Sequence, residues 1–164
     1  MKQARLIVVN KDYIGDTAID NVIGYAIDSY HADTDEMLTS GVRNDSYKHI
    51  VEDFYRVQAI YNMNERQRLF HFVLSTTVSK DMQRTLDEAA EQLLEYFENL
   101  GHQIVLVPHY SSDRNCTHYH WHCIVNRLSH TSGRLLYDRH ETYDSIVNYL
   151  NINPYTHWEW CFGN

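Results

Sequence analysis

The chain has 164 residues, 43% hydrophobic and 13% aromatic, with two prolines and six glycines; this composition excludes disordered and fibrous classes. Fourteen basic against 22 acidic residues give a net charge of −8 with histidines neutral, which argues against broad nonspecific nucleic-acid binding but leaves room for a local basic surface. No apolar run approaches the roughly 20 residues of a membrane span, Leu6-Ile-Val-Val9 is too short for a signal-peptide core, and Cys116, Cys123 and Cys161 fit no zinc-knuckle spacing, so one cytoplasmic domain over 1–164 with reduced thiols is expected.

In chain order, a strand is predicted over 5–10. Asp16 or Thr17 then caps a helix running to about Tyr30, with Ile19, Ile23, Ile27 and Tyr30 as an apolar stripe at helical spacing. A polar connection follows, with Gly41 as a turn signal. Ser46 starts a second helix whose inner face is Ile50, Phe54, Val57 and Tyr61. Residues 68–77 read as a strand, with Phe70, Phe72 and Leu74 on one face and His71, Val73 and Ser75 on the other. A third helix is expected from about 81 to 100, acidic outside, with Leu86, Ala90, Leu93 and Phe97 inward and Gly101 ending it. Two strands over 103–109 and 118–128 come next, then a turn at Thr131-Ser-Gly133 and a short helix over 141–150. The last element is an edge strand over 156–162 with Trp158, Trp160 and Phe162 on one face. This order, β-α-α-β-α-β-β-α-β, lacks the strict alternation of a doubly wound sheet. It predicts an α+β fold: a mainly antiparallel β-sheet with helices packed on one side.

The chemistry concentrates in His118-Tyr-His-Trp-His-Cys-Ile-Val-Asn126. On a strand, His118, His120, His122, Ile124 and Asn126 share one face, and Tyr119, Trp121, Cys123, Val125 and Arg127 the other. Ligands at i and i+2 lie roughly 6.5–7 Å apart along that face, close enough for both rings to tilt toward one ion. A third ligand must come from elsewhere, and His109, ending the preceding apolar run, is the natural donor. Three neutral imidazoles bind a metal of borderline softness and leave positions open for water or substrate. His118 is a spare ligand, a partner that orients a ligand, or a surface residue, the last two being favoured.

These residues resemble the histidine motif of plasmid mobilisation relaxases, in the His-hydrophobic-His endonuclease superfamily. The match is His109, then His120-Trp-His122-Cys-Ile-Val-Asn126-Arg, then Thr131-Ser-Gly133-Arg. Phe70-His71-Phe-Val-Leu-Ser75 resembles the family's central strand. Val22-Ile-Gly-Tyr25-Ala-Ile27 resembles the apolar helix that carries a nucleophilic tyrosine. The resemblance implies a relaxase/Rep-like palm and metal-dependent, site- and strand-specific DNA nicking and joining at an origin of transfer. In that reaction Tyr25 attacks a phosphodiester, retains a 5′-phosphotyrosyl bond and frees a 3′-hydroxyl. It further implies Mn²⁺ or Mg²⁺ as cofactor, although three imidazoles also suit Zn²⁺. The implied partner is single-stranded DNA or an origin hairpin, with room for accessory mobilisation proteins and no membrane.

Of 13 tyrosines, Tyr25 matches the motif position and lies about 200° round the helix from Ile23, off the central stripe. Tyr30, on the stripe, reads mainly as core, and Tyr13 as a loop residue. His71 reads equally as a satisfied core histidine or as a group near metal or phosphate; Ser75 shares its face. Asn126 holds the ligand strand or contacts DNA, the first being favoured. Ser111 stands where relatives often carry an acidic residue, and Asp113 follows it as a group to orient a metal histidine or accept the tyrosine proton. Arg43, Lys48, Arg66, Arg68, Arg114, Arg127, Arg134 and Arg139 are available to line a basic side. The chain lacks the long C-terminal region of full-length mobilisation proteins, which suggests a trimmed nuclease domain, a minimal relaxase, or a remnant with reduced DNA affinity. Two other readings stay open. One is a rolling-circle replication initiator or transposase of the same superfamily, with Tyr143 or Tyr149 as nucleophile. The other is a non-catalytic metal- or DNA-binding accessory protein.

Overall fold

The computed structural model describes residues 2–9, 13–63, 67–76, 82–110 and 119–163. The elements are β1 (Lys2–Val9), α1 (Ala18–Ile27), β2 (Leu38–Ser40), α2 (Tyr47–Ile60), β3 (Leu69–Thr76), α3 (Gln83–Asn99), β4 (His102–His109), β5 (His120–Ser129), α4 (His140–Leu150) and β6 (Thr156–Gly163). The strands form one sheet in the order β2-β4-β5-β3-β1-β6. Every neighbouring pair is antiparallel except β1 with β6.

The α+β class and the mainly antiparallel sheet agree with the sequence reading; the distribution of the helices differs. Phe70, Phe72, Leu106, Trp121 and Cys123 face a core with α3 and α4. Leu69, Val105, Val107 and Ile124 face a second core with α1 and α2. Helices therefore cover both faces instead of one. The cause is legible in β4, where Ile104-Val-Leu-Val107 is apolar at consecutive positions and the whole strand is buried. A strand apolar on both sides must be covered on both. On the α1/α2 side the covering stops short of β1 and β6, where Arg5 and Glu159 remain exposed.

Local signals set most boundaries. The Ser46 hydroxyl accepts a 3.2 Å hydrogen bond from the His49 amide and caps α2. Gly101, at φ +76°, ends the chain segment after α3 in the left-handed region that glycine tolerates. The first helix departs from expectation: α1 ends at Ile27, and Tyr30 is 94% exposed rather than core. Past the helix the chain turns to pair with the end of β4. The Asp33 amide donates to the Pro108 carbonyl and the Tyr110 amide to the His31 carbonyl, both at 2.9 Å. A continued helix would forfeit those bonds. The polar connection also contains the short edge strand β2, with Leu38 opposite Leu106.

A buried polar network ties α2 to the sheet. Asn126 is fully buried; its amide donates to the Phe54 carbonyl (3.2 Å) and Gln103 Oε1 (2.8 Å), and its oxygen accepts from Gln58 (3.0 Å). Asn126→Ala removes these and the 3.3 Å bond its oxygen accepts from the Leu128 amide, and leaves buried polar groups unpaired. A stability loss of about 2–3 kcal/mol is expected, checked by urea unfolding with far-UV dichroism unchanged in the folded state.

His102 donates from Nδ1 to the Asn126 carbonyl at 2.7 Å. Burial lowers its pKa; the bond to Asn126 opposes the shift and His130 adds to it. A depressed folded-state pKa means the unfolded chain takes up the proton first as pH falls. The contribution to stability is complete above the unfolded value near 6.5 and is lost as pH descends toward the folded value. Stability is expected to fall below about pH 6.5, at no more than about 1.4 kcal/mol per pH unit for this residue. His102→Gln should flatten that slope in melts taken from pH 7.5 to 4.5.

Candidate metal centre and nucleophile

The end of the β4–β5 ladder builds the site. His109 closes β4 directly opposite His120 on β5, and His122 lies two residues further along β5, opposite Val107. Strand alternation puts His120 and His122 on one face. The antiparallel register brings His109 to the same end. One nitrogen from each of the three rings lies within 4.8 Å of the other two. The Nε2 atoms of His120 and His122 are 3.1 Å apart, and the rings of His109 and His122 lie 4.3 Å apart, centroid to centroid.

The outward nitrogens of two of these rings are held in place. His109 Nε2 donates to the Ala26 carbonyl at 2.7 Å, which turns Nδ1 and its lone pair toward the cluster. His122 Nδ1 bonds His71 Nε2 at 2.7 Å. His71 Nδ1 in turn bonds the Tyr13 hydroxyl at 2.7 Å. If His122 offers Nε2 to a cation, its Nδ1 carries the proton and donates to His71. The His71 proton then sits on Nδ1 and is donated to the Tyr13 oxygen. One tautomer is thus propagated through the chain, as ligating histidines commonly require.

The electrostatics favour the ligating form. Burial, and then the neighbouring rings of His71, His109 and His120, push His122 down to about 2. Burial also lowers His109, with the bond to Ala26 opposing it and His31 adding to it. Both rings are neutral at physiological pH, the state that binds a divalent ion. The donor set therefore fits a divalent metal held by His109, His120 and His122, with positions left for substrate.

Tyr25 projects from α1 over this cluster. It is 60% exposed, and its ring centroid lies 5.5 Å from that of His122 and 6.3 Å from that of His109. The next residue supplies the carbonyl that holds His109, so adjacent residues of one helix set the phenol and a ligand together. Tyr13 is half-buried on the same side, and burial followed by Tyr25 raises its hydroxyl to about 12.

The remaining sequence candidates separate. His71 joins the cluster as an orienting partner. Ser75 lies on the same face of β3 but further along, opposite Arg5. Asn126 belongs to the buried network behind the site. Arg127 faces the other side, where its guanidinium donates to the Leu136 and Gln67 carbonyls and sits over Phe70. Asp113 and His118, with Ser111, Arg66 and Arg114, lie outside the described residues. Arg43 is paired with Glu52 and Asp53. The downstream tyrosines are on the wrong side of the sheet. Tyr143 is 1% exposed in the α3/α4 core, and Tyr149 packs on Tyr96 of α3. Sequence reasoning missed Tyr13 as a partner of His71, and the Ala26 carbonyl; neither spacing nor residue type marks a contact between the sheet and the segment packed on it.

Three convergent imidazoles beside an exposed phenol, on one face of a mainly antiparallel sheet, define the class: an α+β protein with a histidine cluster able to hold a metal. The family model for the relaxase of MobA/VirD2-like type, nuclease domain, matches residues 25–151, beginning at Tyr25. The chain belongs to that relaxase family, whose general activity is the nicking of DNA in mobilisation, with a divalent metal. The curated proteins and the solved structures give no match to this chain. Among the described residues, no helix is long and apolar enough to cross a membrane.

Proposed function

We propose that this chain is a single-domain, cytoplasmic DNA strand transferase that nicks and rejoins one strand at an origin of transfer of a plasmid or integrative element. The observation that carries the reading is the coupling of Tyr25 to the histidine cluster through the Ala26–His109 bond. The Tyr25 oxygen attacks the scissile phosphorus. The Oη–P bond forms, the P–O3′ bond breaks, and the 3′-oxygen leaves and takes up a proton. The phenol proton passes to a base, a role for which Asp113 is our candidate. The product is a 5′-phosphotyrosyl protein and a free 3′-hydroxyl, and the reverse reaction rejoins the ends.

A divalent cation held by His109, His120 and His122 would polarise the phosphate and offset the charge that develops as the bond breaks. The protein does the rest. His71 and Tyr13 hold His122 in one tautomer, and Ala26 holds His109. Ser75 is assigned to a strand phosphate further along β3, and His118 to orienting a ligand. Asn126 and Arg127 anchor the β5 strand and the turn after it. Mn²⁺ or Mg²⁺ is the proposed physiological ion, with Zn²⁺ as the competitor that an all-imidazole set invites. The placement of Tyr143 and Tyr149 favours Tyr25 over a nucleophile downstream of the histidine motif.

The test is incubation with single-stranded origin DNA and Mn²⁺. A denaturant-resistant protein–DNA adduct, mapped to Tyr25 by mass spectrometry, is expected. Metal and DNA binding with no cleaved strand from any oligonucleotide would leave an accessory binding protein instead.

A further inference from the structure

Beside Tyr25, α1 and the sheet enclose a groove of about 470 Å³ that opens from the histidine cluster, with His71 and His122 lining its inner end. Its size is that of a small-ligand site. Ala18, Asn21, Val22 and Tyr25 form one wall. They recur at i, i+3, i+4 and i+7, so they share one face of the helix. Val9 and Val73 line the sheet side, and Tyr13 and Ile14 also line the groove. Among the described residues no lysine or arginine lines it. Away from the His71 and His122 end, the part walled by α1 offers a phosphate no cation. It suits the flat, uncharged part of a nucleotide, which buries its faces against apolar and aromatic walls and presents polar edges.

One wall residue is out of character. Asn21 is exposed at the groove, and the hydrogen bond its carboxamide makes within the described residues is a long one, 3.4 Å to Thr17 Oγ1. A carboxamide offers a donor and an acceptor side by side, the pattern that pairs with a base edge. Asn21 lies one helical turn from Tyr25, about 6 Å along the axis. Both line the groove, so a nucleotide next to a phosphate at Tyr25 extends along the wall that Asn21 shares.

We propose that this groove is a nucleobase subsite, and that Asn21 reads the base of one nucleotide flanking the cleaved phosphate. The inference rests on the strand-transfer reading, and it assigns a specificity-determining residue that the histidine motif does not include.

The experiment uses the full chain, Mn²⁺ and a pool of single-stranded oligonucleotides randomised over the cleaved region. Adducts are recovered and sequenced. The wild type is expected to enrich one base at a single nucleotide beside the cleaved phosphate by about tenfold. Asn21→Ala is expected to reduce that enrichment to about twofold or less while leaving enrichment at other positions intact. An abasic residue at that nucleotide should slow adduct formation about tenfold in the wild type and about twofold or less in the variant. Alanine favours an exposed helical position, and a matching thermal melt checks that the variant is folded. Adducts that show no base preference beside the cleaved phosphate, or a preference that Asn21→Ala retains, overturn the subsite and leave the transferase intact. No adduct from the wild type with any sequence overturns the transferase reading and the subsite with it.

Discussion

Tyr25→Phe is expected to abolish the covalent DNA adduct, a loss of about three orders of magnitude or more, because the oxygen proposed to form the bond is gone. The lost atom is on an exposed ring, so the fold should be untouched and a melt should superimpose on the wild type within about 0.5 kcal/mol. Metal affinity should be unchanged, since the phenol is not among the three convergent imidazoles. Tyr13→Phe supplies the contrast. Its hydroxyl accepts from His71 at one remove from a ligand, so adduct formation should persist at a reduced rate, with the deficit partly restored by excess metal. Tyr149→Phe should behave as wild type, because that ring packs on Tyr96 in the opposite layer. A gel of protein–DNA adducts across the three variants reads the outcome directly. An adduct that survives in Tyr25→Phe and vanishes in another variant would reassign the nucleophile.

His122→Ala is the second large effect. His122 is the central ring of the cluster, 4.3 Å from His109 and 4.9 Å from both His120 and His71, centroid to centroid. Removing it deletes a proposed ligand and breaks the link to His71 and Tyr13. Divalent-metal affinity should drop by at least about 100-fold, and cleavage should be lost with it. His71→Ala should lower affinity by about 10–100-fold, the range for an orienting partner, and leave residual cleavage at saturating metal. His120→Ala should resemble His122→Ala in affinity but disturb the interior less, since His120 is only partly buried. Calorimetry with Mn²⁺ and Zn²⁺ separates these cases. Unchanged affinity in both His120→Ala and His122→Ala would refute the ligand set.

The candidate metal group was readable from the chain because much of its geometry is local. Residues two apart on a strand must share a face, and the end of one strand meets the start of the next wherever the two pair antiparallel, as β4 and β5 do. The ends of α2 and α3 were readable for the same reason: Ser46 and Gly101 act on their immediate neighbours. The failures have the opposite character. Tyr30 continued the apolar stripe of α1, yet the helix stops at Ile27 because residues 31–33 gain hydrogen bonds at the end of β4. The three residues of β2 carry too little pattern to be seen alone, and they exist as a strand because β4 offers an edge. The apolar character of both faces of β4 was in view, but covering by α1 and α2 as well as α3 and α4 follows only once the sheet is assembled.

The chain by itself determined an α+β class, two imidazoles on one face of a strand with a third closing the strand before it, and a tyrosine placed on a helix ahead of them. Those follow from strand alternation, helical period and capping, which are properties of short stretches of backbone. Only the tertiary structure decided that β3 lies beside β5, so that His71 bonds His122, and that α1 halts where the Ala26 carbonyl meets His109. It also decided that Tyr25 stays exposed while Tyr143 is sealed in the other layer. Contacts of this kind join residues 51 and 83 positions apart. They are set by which strands pair and which faces are buried, a choice made by the summed burial of the whole sheet rather than by any segment of it.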